Sequence, residues 1–449
     1  MQMRGTILLR YIFLLALLGG IFLYGGMHIK KDIEYDVHAT STAGAAMRLG
    51  TSSLIVSPHA SSTLAAPEVV VTHLLTPVPL KAAYMTSCIA SGKKLRAPLV
   101  KFVEATELNA LVIDIKDFSG MVSIDTGDPH FVVNTHGCNI PDIREFIAEL
   151  HSKGIYVIGR VTVMQDQVYT KSHPDAAVKR KSDGATWHDN KGLAFVDPGA
   201  SEYWQYMVDL GKASHGVGFD EINYDYIRYP SDGDMANAKF TRTGSTTKAA
   251  MMKKFYAAVG GGMRQAGVPT SADLFGMTTT NTDDLGIGQV LENALISFDF
   301  VAPMVYPSHY PPNFNGWKDP NLVPYEIVKF SMQKAVTRAN MLEQIESGWV
   351  APVVASSSAT STHGTASSTA KFVPKGIYAQ KLRPWIEDFD CCAPHTHDYT
   401  EADVRAQMKA VYNSGLTSWM MWDPKNIYTK SAYDSVSGSP VGAASTSVR

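Results

Sequence analysis

The sequence predicts a (β/α)8 barrel of the TIM type, and three observations carry that reading. Apolar β-type runs alternate with helical patterns from Leu80 to Tyr428. Eight such runs occur over roughly 350 residues, which suits the strand count and length of this fold. Polar and charged side chains gather at the C-terminal ends of the runs, where barrels of this type carry their functional groups.

The first run is "KAAYMTS", around Tyr84, and the second is "ALVIDIKD", Ala110 to Asp117. Next come "IYVIGRVTV" (Ile155 to Val163), "GVGFDEINYD" (Gly216 to Asp225), "VPTSADLFG" (Val268 to Gly276) and "FDFVAPMVY" (Phe298 to Tyr306). "KGIYAQKL" (Lys375 to Leu382) and "GLTSWMMW" (Gly415 to Trp422) supply strands seven and eight. Helical patterns such as "IPDIREFIAELHSKG", "SEYWQYMVDLGKASHG" and "EADVRAQMKAVYNSG" lie between them, each closing on a glycine as a helix stop should. An open doubly wound sheet calls for a phosphate-binding glycine fingerprint after its first strand. "SCIASGKKLR" is not one.

The flanks read differently. "ILLRYIFLLALLGGIFLYGGM" (Ile7 to Met27) is apolar apart from Arg10 and about as long as a membrane-spanning helix. No small-x-small cleavage site follows at once, so residues 1–30 read as an uncleaved signal-anchor, with secretion as the outcome if the segment is cut. Residues 31–78, rich in Ala, Ser and Thr, read as a disordered linker. The barrel domain then spans 79–432, interrupted by a disordered loop at 355–370 and followed by a disordered tail at 433–449. The expected location is the membrane, with the barrel outside the cytoplasm.

Composition narrows the partners. Apolar residues make up 45% of the 449-residue chain, enough for a large core, and the net charge of −2 gives no reason to expect nucleic acid. The cysteines, Cys88, Cys138, Cys391 and Cys392, form no C-x-x-C metal pair. They leave room for one disulfide in an exported chain, or for free thiols.

The strand ends carry the chemistry. They place Asp114, Lys116 and Asp117 on strand two, Arg160 on three, and Asn223 and Asp225 on four. Asp273 ends strand five, Tyr306 six, Gln380 seven, and Trp422 and Asp423 eight. Alternation puts Glu221, Asn223 and Asp225 on one face and Asp220 on the other. Asp225 and Asp273 end neighbouring strands, and paired carboxylates are what glycosidic-bond cleavage requires. Asp225 is expected to act as nucleophile or stabiliser, and Asp273 as proton donor. Arg228 and Tyr226 are expected in the turn that follows, Arg228 holding Asp225 ionised through its positive charge, with a structural ion pair closing the strand end as the alternative for Asp225 and Arg228. Asp114, Lys116, Asp117, Arg160, Asn223, Tyr226, Arg228, Tyr306, Trp385, Trp422 and Asp423 are the candidate substrate-binding residues. For Asp117, before "FSG", and Asp423, before Pro424, a turn or helix-cap role competes equally. Tyr224, Tyr229, Tyr310, Trp317 and Trp419 join the aromatic cluster that suits sugar rings, with core packing as the alternative for each. No cofactor or metal is expected: "HTH" (His395 to His397) follows strand seven rather than strand one.

Together "NALVIDIKDFSG", "GIYVIGRVTV", "FDEINYDYIRYP", "FVAPMVYPSHY", "LRPWIEDF" and "GLTSWMMWDPKNIY" resemble the bacterial "putative glycosyl hydrolase" family. The resemblance spans about Leu80 to Tyr428 and implies a glycosidase-type TIM barrel acting on a polysaccharide. It is not a chitinase pattern: against D-G-x-D-x-D-x-E the chain offers Asp220, Asn223 and Asp225, then Ile227 in the acid's place. Amylase-type barrels end strand four with Asp and strand five with Glu. Asp225 and Asp273 match those positions, the second one methylene short. A barrel that binds carbohydrate without cleaving it is the alternative.

Overall fold

Alternation sends the side chains of each strand to two faces, and here both faces are buried. In Ala110–Lys116, for example, Ala110 and Val112 point to one side while Leu111, Ile113 and Ile115 point to the other, all 0% exposed. A strand apolar on both faces belongs inside a layer of helices. The computed structural model describes residues 69–135, 137–349, 371–391 and 397–435. The Ile7–Met27 run, the 355–370 stretch and the tail beyond 435 fall outside them. No helix among the described residues is long and apolar enough to cross a membrane.

Eight parallel strands close on themselves: β1 (Lys81–Met85), β2 (Ala110–Lys116), β3 (Tyr156–Thr162), β4 (Glu221–Asp225), β5 (Thr270–Phe275), β6 (Phe300–Met304), β7 (Trp385–Glu387) and β8 (Trp419–Trp422). Each pairs with its chain neighbour, and β1 pairs with β8 through Lys81↔Trp419. The crossovers are helices: α1 (Ser87–Ser91) and α2 (Lys93–Ala105) after β1, α3 (Ile143–Ser152) after β2, α4 (Gln167–Ser172) and α5 (Ser201–Val217) after β3, and α6 (Lys248–Gln265) after β4. α7 (Leu291–Ser297), α8 (Pro324–Glu346) and α9 (Glu401–Tyr412) follow β5, β6 and β7. This is the (β/α)8 barrel the sequence predicts. A two-residue antiparallel ribbon, Lys179–Arg180 with Ala238–Lys239, links the loops after β3 and β4 and was not anticipated.

Local sequence explains the helices. α3 buries Ile143, Phe146, Ile147 and Leu150, one stripe at helical spacing. It stops where Gly154 takes φ +71°, letting Ile155 N–H bond back to Leu150 O at 3.0 Å. α9 starts on a capping box in which Thr400 and Asp403 bond each other's backbone. The helix-facing side of the barrel forms one large apolar cluster, and the interior a smaller one of Ala82, Tyr84, Val112, Ile158, Trp385, Met420 and neighbours.

One expected element is misplaced. Lys375–Leu382 is not strand seven: Ala379–Lys381 is a short 3-10 turn, and Lys381 Nζ bonds Leu295 O and Phe298 O at the end of α7, each at 2.8 Å. Only Leu382 bridges β6, at Val301. The true strand lies beyond Pro384 and is three residues long, too short for its alternation to register as a pattern. Gln380 therefore does not stand at a strand end. A disulfide joins Cys88 on α1 to Cys138 ahead of α3, and no free cysteine occurs among the described residues.

Candidate active site

Strand β4 positions the site. Its residues Glu221, Asn223 and Asp225 face the barrel interior, and its register against β5 pairs Asn223 with Ser271 and Tyr224 with Ala272. The next step of that register sets Asp225 opposite Asp273. Asp220, on the other face, accepts hydrogen bonds from Leu74 N, Val157 N and His151 Nε2 at 2.7, 2.8 and 2.9 Å at the base of the barrel.

At the mouth, Arg160 of β3 stands among three carboxylates. Its Nη2 pairs with Asp225 Oδ2, its Nη1 lies 2.7 Å from Asp114 Oδ1, and its Nε is 3.9 Å from Asp273 Oδ2. Burial works against the guanidinium's charge, but Asp225 and Asp114 outweigh it and raise its pKa. The Arg160 side chain is 17% exposed against 1% for Asp273, so the arginine is the part of the cluster nearest solvent. Tyr84 of β1 donates its hydroxyl to Asp114 Oδ2. Burial raises the pKa of Asp114, while Arg160 and Tyr84 hold it down.

Asp273 is the most perturbed carboxyl of the group. Its Oδ1 accepts from Asn223 Nδ2 and from Trp385 Nε1, both at 2.8 Å. Burial first, and then the charge of Asp225, push its pKa up to about 8 against the pull of Arg160 and those two donors. At neutral pH it carries a proton while lying beside a paired carboxylate.

The remaining candidates divide. Tyr306 and Trp422 meet at the mouth with ring centroids 5.0 Å apart, and Phe389 packs on Trp422 at 4.9 Å. The Tyr306 hydroxyl, its pKa raised by burial, senses the charges of Asp273, Asp225, Arg160 and Glu387. Tyr226 directly follows Asp225 with φ +53°, a left-handed conformation that turns its N–H back onto Asp225 Oδ1 at 2.5 Å. Arg228 does not pair with Asp225. Its guanidinium lies over Phe275 and Tyr226, 4.7 and 5.3 Å from the ring centroids, and donates to Tyr229 O and Ser231 Oγ. The ion pair expected of it is made by Arg160, which enters from β3 on the same face as Asp225.

Lys116 is also unavailable. It is fully buried, with Nζ 3.0 Å from Asp166 Oδ2 and 2.6 Å from Thr162 O. The turn above it leaves no room, since a Cβ on Gly120 (φ +86°) would stand 2.1 Å from Asp166 Oδ1. Asp117 caps that turn, accepting from Ser119 N and Oγ at 2.8 and 2.6 Å. Asp423 likewise accepts from Lys425 N, and burial pushes its pKa up to about 6. For both, the geometry is that of a turn. Trp385 sits within β7 rather than in a loop, 2% exposed, with its indole N–H spent on Asp273. Tyr224, Tyr229, Tyr310 and Trp419 are core side chains.

Sequence reasoning missed Glu387, at the end of β7. It is fully buried, accepts from Ser308 N at 2.9 Å, Ser308 Oγ and Tyr399 OH at 2.6 Å, and has its pKa pushed by burial to about 7. "WIEDF" carried the signal, a Trp and a Glu two apart after a proline, but the misplaced strand seven hid it. Of "HTH", His395 and Thr396 fall outside the described residues. His397 lies 3.2 Å from Asp403. No cluster of three or more His, Cys, Asp or Glu able to hold a metal occurs among the described residues.

A closed parallel barrel carries a carboxylate cluster at its C-terminal mouth. The chain belongs to the family described as "Putative glycosyl hydrolase domain". Its model matches residues 82–367 and 357–428. Among solved structures, the glycoside hydrolase domain of PgaB (BpsB) from Bordetella bronchiseptica is 12% identical, with TM-score 0.50, covering 78% of this chain and 95% of that one. A hypothetical protein from Ruminiclostridium thermocellum is 28% identical, with TM-score 0.38, covering 46% of this chain and 98% of its own. The α-L-fucosidase isoenzyme 2 of Paenibacillus thiaminolyticus is 10% identical, with TM-score 0.48, covering 79% of this chain and 47% of its own. No curated protein matches the sequence.

Proposed function

We propose that this chain is a glycoside hydrolase that cleaves an extracellular or cell-envelope polysaccharide with Asp225 and Asp273. One observation carries the reading: two carboxyls end adjacent strands at the barrel mouth, Asp225 paired with Arg160 and Asp273 buried beside it, where burial raises its pKa. Asp273 gives its proton to the glycosidic oxygen as the bond from that oxygen to the anomeric carbon breaks. Asp225 attacks or stabilises the cationic anomeric centre, and water then completes the exchange. Tyr306 and Trp422 offer apolar faces to the sugar.

The Cys88–Cys138 disulfide supports an oxidising compartment. With the apolar Ile7–Met27 run, it favours a membrane-anchored barrel outside the cytoplasm, or a secreted one if that run is removed. The test is a polysaccharide panel assayed for new reducing ends with the purified full chain and its Asp225→Asn and Asp273→Asn variants. Release by the wild type alone supports hydrolysis. Binding of those polymers without release by any of the three replaces it with a carbohydrate-binding role.

A further inference from the structure

Asp273 has two chemically distinct oxygens. Oδ1 takes both N–H donors, Trp385 Nε1 and Asn223 Nδ2, each at 2.8 Å. Among the described residues no hydrogen bond reaches Oδ2, which faces Arg160 Nε at 3.9 Å. An indole nitrogen is donor only, so the oxygen it meets must act as an acceptor. A carboxyl oxygen that already accepts two N–H bonds has no lone pair left to hold a proton comfortably. Asn223 is itself steered, because the same Nδ2 also bonds Ser271 Oγ at 3.0 Å, while its Oδ1 is buried without a partner.

We propose that Trp385 and Asn223 are positioning residues that fix the acid proton of Asp273 on Oδ2, the oxygen turned toward Arg160 and the barrel mouth. The inference rests on Asp273 being the proton donor proposed above. It assigns the two side chains a role other than binding sugar. Oδ1 then stays a carbonyl oxygen throughout, and Oδ2–H is the donor that the glycosidic oxygen meets. On transfer, the Oδ2–H bond breaks and its electron pair stays on Asp273. The carboxylate so formed keeps both N–H donors on Oδ1, which eases its formation.

Infrared difference spectra of the full chain, wild type minus Asp273→Asn at pH 6, read the carbonyl stretch of the protonated acid directly. A frequency lowered as in a doubly hydrogen-bonded carbonyl is expected, and one at the free-carbonyl position would place the proton on Oδ1 and overturn the proposal. Absence of any protonated-acid band would defeat the proton-donor reading itself, so the two failures are distinguishable. Trp385→Phe and Asn223→Ala each remove one donor that favours the ionised form. Each should move the basic midpoint of that band, and of kcat/KM, upward by about one pH unit. A merely structural tryptophan would lower the melting temperature and leave both midpoints in place. An unmoved midpoint in either folded variant rejects the role of that residue, and the wild-type spectrum decides the matter even where a variant does not fold.

Discussion

Strand β4 carries carboxylates at both ends, and the two ends are treated differently. At the base, Asp220 is saturated by two backbone N–H groups and His151, and Glu221 is locked to Arg383 inside the barrel. At the mouth, Asp225 shares one guanidinium with Asp114 and Asp273, and Asp273 responds by holding its proton. Both ends bury charge. Among the described residues, only the mouth leaves a carboxyl oxygen of this strand and its neighbours without a hydrogen bond, next to another carboxylate. Charge at the base is neutralised in place, whereas charge at the mouth is left one partner short, as the proposed chemistry requires.

The strongest challenge to that contrast is at the mouth. Asp273→Asn and Asp225→Asn should each lower kcat/KM by about a thousandfold or more, with circular dichroism unchanged. At the base the loss should be one of stability instead. Glu221→Leu strands Arg383, which is 1% exposed and already has Nε and Nη1 without partners. Chemical denaturation should show a loss of about 3 to 5 kcal/mol, and adding Arg383→Met should recover much of it.

The pH dependence sharpens the contrast further. Because the folded pKa of Asp273 is raised, its contribution to stability is whole below the unfolded value near 4 and is lost as pH rises through about 8. Activity should fall over the same upper limb, as the acid loses its proton. Asp273→Asn cannot ionise, so at pH 9 it should unfold at higher denaturant than the wild type. Glu387, at about 7, adds a slope of the same sign that remains in the variant. The smallest effect belongs to the turn carboxylate: Asp117→Ala should cost about 1 kcal/mol of stability and leave KM within a few-fold.

The barrel was legible because seven of its strands run four residues or more and are largely buried on both faces, and because helices such as α3 announce their stops with glycine. The carboxylate pair was legible for a related reason, since Asp225 and Asp273 fall toward the same end of neighbouring strands. What alternation does not encode is reach. Arg160 and Arg228 are equally plausible partners for Asp225 in one dimension, and only the β3–β4 register, Arg160↔Asn223, decides between them. Lys116 reads as a mouth residue, yet the register shifts between Asp114 and Lys116, and its amine turns to Asp166. Glu387, and the place of Trp385 within a strand, were obscured because that strand is only three residues long.

That short strand has a dynamic consequence. β7 pairs with β6 through a single register position, Met304↔Trp385, supplemented by the bridge at Val301 and Leu382. β2 and β3, by contrast, pair over most of their length. A closed barrel opens where the fewest backbone bonds must break, so the β6–β7 seam is expected to open first, and hydrogen exchange should find its amides ahead of those between β2 and β3. Trp385 lies on that seam, and its indole is one of the two donors on Asp273. An opening that frees the strand would also withdraw a donor from the carboxyl, so the open population of this seam and the ionisation of Asp273 should be coupled through one side chain.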